Sequence, residues 1–242
     1  MKIDDLTLIG GCDIVMDDGV VIQQPTLGMI RDPRVGQARY GAYVNILALT
    51  LDDLSQNSAV VFPENTSLYV VLLAIPELRG MLTEALSFFL GGVVFRSDTF
   101  DFETTNGSIV NQDNFDDVRS VILRVCCVST QSAIKPKFRS KKAQEIYEKI
   151  ARGREQLEKA KHREGKAEFA LANLISAVSA KSPTYNLTNI WDLTVYQLYD
   201  QFGRLNVNNQ IDIIGLRWAA WGKDDFDFTT WYTPQNRQQA DA

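Results

Sequence analysis

The run from Tyr185 to Gly222, YNLTNIWDLTVYQLYDQFGRLNVNNQIDIIGLRWAAWG, holds three of the four tryptophans in the 242-residue chain. Trp191, Val195, Leu198, Phe202 and Leu205 recur at intervals of four and three residues, which puts them on one face of an α-helix. Asn189 stands where an N-cap belongs, and Asp192 falls at the third helical position, near the positive end of the helix dipole. Asn206 to Asn209 reads as a joint. Beyond it, Gln210 to Trp221 places Ile211, Ile214, Trp218 and Trp221 on one face, with Ile213 and Leu216 widening it. The spacing predicts two helices, and side chains this large and apolar must be covered by the chain's own core or by a partner.

Working outward, Phe169 to Ala180 shows a further apolar helical pattern, stopped by Ser182-Pro183. Before it, residues 135–166 change character: 12 Lys or Arg stand against 5 Asp or Glu, a balance of +7. The other residues then hold 13 basic and 25 acidic side chains, a balance of −12. Glu145 with Lys149 and Glu155 with Lys159 suit an exposed helix. The N-terminal portion alternates short strands and helices. Leu6–Ile9 and Ile14–Met16 read as strands, Asp17-Asp18-Gly19 as a turn, and Val20–Gln23 as the returning strand. Helices follow at Thr26–Ile30 and from Pro33 to near Thr50. Asp52–Asn65 reads as a connection with one helical turn. Ser67–Ile75 and Glu77–Leu90 are apolar helices separated by Pro76. Val93–Arg96, Phe100–Glu103 and Ser108–Val110 have strand character around Asn106-Gly107, the favoured pair for a type I′ turn. A helix through Phe115, Val118, Ile122 and Val125 ends at Cys126.

The expectation is an α+β, mainly α-helical chain with a small N-terminal β unit and a central β-hairpin. Its divisions are an N-terminal α+β domain (1–134), a charged helical arm or linker (135–166), a C-terminal helical region (167–232) and a loose tail (233–242).

Catalytic signatures are missing. Five Asp-Asp pairs, at 4–5, 17–18, 52–53, 116–117 and 224–225, sit at turns and helix starts, where aspartate is favoured for local hydrogen bonding. The only histidine, His162, lies among Lys161, Arg163 and Glu164, so no Ser–His or Cys–His nucleophile pair is available. There is no GxGxxG, phosphate-binding glycine loop or CxxC. Cys12, Cys126 and Cys127 are too few and too awkwardly spaced for a disulfide framework or a zinc site. The sequence thus predicts no enzymatic activity, no cofactor and no metal.

The start, MKIDDLTLIGG, lacks the apolar core of a signal peptide. No stretch reaches 18 uninterrupted apolar residues, so no membrane span is expected. The formal net charge of −5 gives no overall reason to bind nucleic acid. Only the basic 135–166 arm could track phosphates, and its interleaved acids favour a solvated helix. The candidate partner-binding residues are aromatic: Trp191, Tyr196, Tyr199, Trp218, Trp221, Trp231 and Tyr232. The last two stand in an acidic stretch that is hard to bury internally.

The order of parts resembles a known group. A β unit with an apolar turn at Pro25-Thr26-Leu27 leads to a helix carrying Gly36 and Tyr40. An Asn-Gly hairpin then precedes an acid-capped helix ending in cysteine, and the chain closes with Trp191-Asp192-Leu193-x-x-Tyr196-x-x-Tyr199-Asp200. This is similar to the small cytoplasmic tail assembly chaperones of tailed phages of Gram-positive hosts, over most of 1–128 and 167–232. The resemblance implies a non-enzymatic protein of the host cytoplasm. Its protein partner would be the tape-measure or tail-tube protein, held by aromatic helical faces, with homo-oligomers an option. Two alternatives stand beside it: a structural virion component (baseplate or connector subunit), or a host- or nucleic-acid-interacting protein that uses the basic arm.

Overall fold

A computed structural model describes residues 3–58, 62–63, 66–128 and 171–222. Among them the chain is mainly helical, with one two-stranded and one three-stranded antiparallel sheet. The charged arm and the 233–242 tail of the sequence reading lie outside the described residues.

The first element departs from expectation. Asp5–Gly10 forms a short helix, α1, where Leu6–Ile9 reads as a strand. Four residues are too few for periodicity to separate the two states, and the caps decide. The Asp4 carboxylate accepts from the Leu6 N–H, and Gly11 closes the helix in the left-handed region at φ 68°. The N-terminal β unit follows as expected. Strands β1 (Ile14–Val15) and β2 (Val21–Ile22) pair Ile14 with Ile22 and Val15 with Val21.

Helices α2 (Leu27–Arg31) and α3 (Gly36–Ala48) come next. The connection after them contains a full two-turn helix, α4 (Leu51–Ser58). Its start is fixed reciprocally, since Asp53 accepts from the Thr50 N–H at 2.9 Å and Thr50 Oγ1 accepts from the Asp53 N–H at 3.2 Å. Pro76 separates α5 (Leu68–Ala74) from α6 (Pro76–Leu90) by opening α6, where its missing N–H is no loss.

The second sheet has the order β3 (Val93–Arg96), β4 (Asp101–Thr104), β5 (Ile109–Val110). The β4–β5 turn is not type I′. Thr104 N–H donates to Ser108 O, which leaves a three-residue loop, and the positive φ falls on Gly107 (84°) and not on Asn106. Helix α7 (Phe115–Val125) follows and ends with Cys127 in the left-handed region at φ 56°.

Two apolar clusters hold these parts. The larger joins the first β unit, α3, α5, α6, the β-hairpin and α7, with Leu72, Leu82, Leu86, Phe89, Phe102, Phe115 and Ile122 fully buried. At the rim of this cluster Arg119, on α7, donates to the carbonyl oxygens of Leu47 and Leu49, otherwise orphaned at the end of α3. The smaller cluster packs Leu27 and Ile30 of α2 against the C-terminal helices, α8 (Leu171–Lys181) and α9 (Val195–Trp221).

The C-terminal stretch itself is rearranged relative to the sequence reading. Trp191 lies in a 3₁₀ turn, Ile190–Asp192, ahead of the helix. Asn189 makes no cap bond; it accepts from the Asn186 N–H and donates to Thr184 O, shaping the preceding loop. Thr194 is the cap of α9. From there one continuous helix of 27 residues replaces the expected pair joined at Asn206–Asn209. Asparagine inside a helix costs well under about 1 kcal/mol relative to alanine, and Lys181 of α8 donates to the Asn209 side chain.

Candidate protein-docking surface

The base of α9 is fastened on three sides. Thr194 Oγ1 accepts from the Gln197 N–H at 3.2 Å, and the Gln197 side chain accepts from the Thr194 N–H at 2.9 Å, a complete capping box. Thr26 and Thr194 form an isolated antiparallel bridge, with Val195 N–H donating to Pro25 O and Leu27 N–H to Leu193 O. Val195 and Leu198 are buried against α8, with Phe202 and Leu205 half-buried beside them.

The same stripe continues beyond that packing. At 100° per residue, Leu198, Phe202, Leu205, Asn209, Ile213, Leu216 and Ala220 stay within one sector of the helix. Val207, Ile211, Ile214, Trp218 and Trp221 form a second row on nearly the opposite side, so Ile213 and Leu216 do not widen that face as the sequence suggests but belong to the first row. From Asn206 onward no residue of α9 is buried. Leu216 is 72% exposed, Trp221 67%, Ile213 59% and Trp218 49%. A helix apolar on two opposite sides is normally enclosed. Here its last three turns, about 16 Å of rise, carry large hydrophobic side chains into solvent. Exposed clusters of this kind mark interaction sites.

The candidate aromatic residues divide among different environments. Tyr196 is buried in the larger cluster, and Tyr199 is half-buried beside the smaller one. Both phenols are pushed up mainly by burial. Trp191 donates from Nε1 to Leu187 O at 2.7 Å and lies under the Arg31 guanidinium, 4.6 Å from the ring centroid. Trp218 and Trp221 alone among the described candidates project from the exposed end. Trp231 and Tyr232 lie outside the described residues.

Trp191 also lines a groove of about 360 Å³ between α2, the first turns of α8 and Leu187. Periodicity gives no hint of it, because it joins three segments distant in sequence. Its walls approach closely: a Cβ at Gly28 would stand 3.1 Å from the Trp191 carbonyl oxygen. The side chains that sequence reasoning missed are therefore Arg31 and Leu187, the latter 63% exposed.

The carboxylate pairs have local duties. Asp4 caps α1, Asp5 meets Arg124 at 3.0 Å, and Asp53 caps α4. Asp18 accepts from the Val20 N–H and from Asn114, and Asp116 lies 3.4 Å from Arg119. Among the described residues no three His, Cys, Asp or Glu side chains converge as a metal site would require, and no helix is long and apolar enough to cross a membrane. The Asp224–Asp225 pair and His162 are outside the described residues.

Residues 159–236 match the family described as the YomV second domain, a phage-derived domain of the Bacillus phage SPBeta type. The matched span includes α8, the 3₁₀ turn and all of α9, the segment that bears the exposed helix end. No curated protein and no solved structure matches the chain.

Proposed function

We propose that the chain is a non-enzymatic protein-binding factor of phage tail morphogenesis. In the host cytoplasm it holds the tape-measure protein, tail-tube subunits or both through the end of α9 while the tail assembles. One observation carries this reading: Ile213, Leu216, Trp218 and Trp221 stand exposed on a helix whose base is capped and packed. A rigid helix offering two opposed apolar rows suits an amphipathic helical client, which binds by laying its own apolar face along such a surface. Tryptophan is among the residues that anchor interfaces most strongly. The phage-derived family match and the resemblance in part order supply the biological setting.

Co-expression with the tape-measure protein of the same phage tests the proposal. The parent chain is expected to keep the tape-measure protein soluble and to co-purify with it. Trp218→Ala/Trp221→Ala should reduce recovery about tenfold or more while leaving thermal unfolding unchanged, since truncating exposed anchors removes binding energy of a few kcal/mol. Equal recovery with both proteins would overturn the reading. So would stoichiometric copies of the chain in purified mature particles, which instead support a structural subunit.

A further inference from the structure

The groove between α2 and α8 stands at the opposite end of α9 from the client surface and calls for a different occupant. Leu27, Ile30, Ile175, Leu187 and Trp191 give it an apolar wall, and among the described residues lining it Arg31 is the only charged one. Its 360 Å³ is at the low end of ligand pockets, which run from about 300 to 1,000 Å³. That is room for one or two large side chains and too little for a helix. The Arg31 guanidinium, stacked on Trp191 and itself exposed, lies at the rim with no carboxylate among the described lining residues. A matching occupant brings an aromatic side chain flanked by carboxylates.

The chain carries that chemistry just past the end of α9, as Asp224-Asp225-Phe226-Asp227-Phe228. We infer that this segment of one copy docks in the groove of a second copy, Phe226 or Phe228 entering between Leu27 and Trp191 and the neighbouring aspartates meeting Arg31. Reach decides between a chain's own groove and its neighbour's. From Val195 to Trp221 the helix rises about 39 Å. The groove is at the Val195 end, because it is lined by the start of α8, whereas Lys181 at the other end of α8 contacts Asn209. Six residues from Gly222 to Phe228 span at most about 20 Å, well short of the return path. A head-to-tail contact of this kind joins two different surfaces and repeats, giving a ring if the rotation closes and an open filament if it does not.

Sedimentation velocity on the full chain over a wide concentration range tests this. The parent should self-associate, and Arg31→Glu should weaken association about tenfold or more, as expected for reversing a charge in contact with two of opposite sign. Asp225→Lys/Asp227→Lys should do the same. An equimolar mixture of the two variants should regain association, since each then offers a tail that suits the other's groove. Leu216→Asp should associate like the parent. A parent that stays monomeric overturns the inference. The same holds if Arg31→Glu associates undiminished, if the mixture fails to recover, or if Leu216→Asp abolishes association.

Discussion

Gln197 and Ile9 stand 188 positions apart in sequence, yet Gln197 Nε2 donates a 2.7 Å hydrogen bond to the Ile9 carbonyl oxygen. The other end of the same amide accepts from the Thr194 N–H, so one side chain both closes the capping box of α9 and ties that helix to α1. Gln197→Glu keeps the acceptor for Thr194 and places a carboxylate oxygen against the Ile9 carbonyl. It should lower the free energy of unfolding by about 0.5–1.5 kcal/mol, the net worth of one hydrogen bond at a solvent-accessible site. Urea denaturation of the parent and variant would measure it.

The two halves of α9 should respond very differently to substitution. Leu198 is fully buried, and Leu198→Ala should cost about 2–5 kcal/mol. Leu216 lies on the same stripe but in solvent, and Leu216→Ala should stay within about 0.5 kcal/mol. Equal losses in thermal or chemical unfolding would mean that the helix end is covered within a single chain.

Asp200 supplies a pH dependence. Burial raises its carboxyl above the ordinary 3.8, with Arg204 pulling the other way. A raised folded value disfavours the ionised native form, so the stability this group contributes is complete below the unfolded value. It is lost as pH rises through the folded one. Asp200→Asn should therefore be more stable than the parent at pH 7, with the advantage fading towards pH 3. Unfolding curves across that range that run parallel for the two proteins would refute the assignment.

The three cysteines should separate cleanly under alkylation. Burial pushes the Cys126 and Cys127 thiols up to about 12, whereas Cys12 is exposed. Since the thiolate is the reactive form, iodoacetamide at pH 8 should add one adduct to the native chain, at Cys12, and three after denaturation. Peptide mapping by mass spectrometry reads the sites directly, and rapid native labelling of Cys126 would contradict the packing around α7.

Much of the fold is legible from residue order because local rules suffice for it. Pro76 opening α6, Gly91 ending it, and the helical repeat of Phe115, Val118, Ile122 and Val125 need no information from elsewhere in the chain. Misreadings cluster where short segments are decided by caps, as in α1, where Asp4 and Gly11 outweigh a strand-like run. The Asn206–Asn209 joint fails for a related reason. Asparagine is a weak helix former, but without proline a weak preference yields to the continuity of packed turns on either side.

The amino-acid order alone thus determined the mainly helical α+β character, the positions of the hairpin and Pro76 break, and the helical apolar repeat from Val195 to Leu205, because each depends on backbone chemistry and spacing within a few residues. Tertiary structure alone decided which turns of that helix are covered. It buried Leu198, left Leu216 and Trp221 in solvent, and set Arg31 over Trp191 at the mouth of a groove. Coverage and juxtaposition depend on where α2 and α8 lie in space, and that is a property of long-range packing that no local pattern encodes.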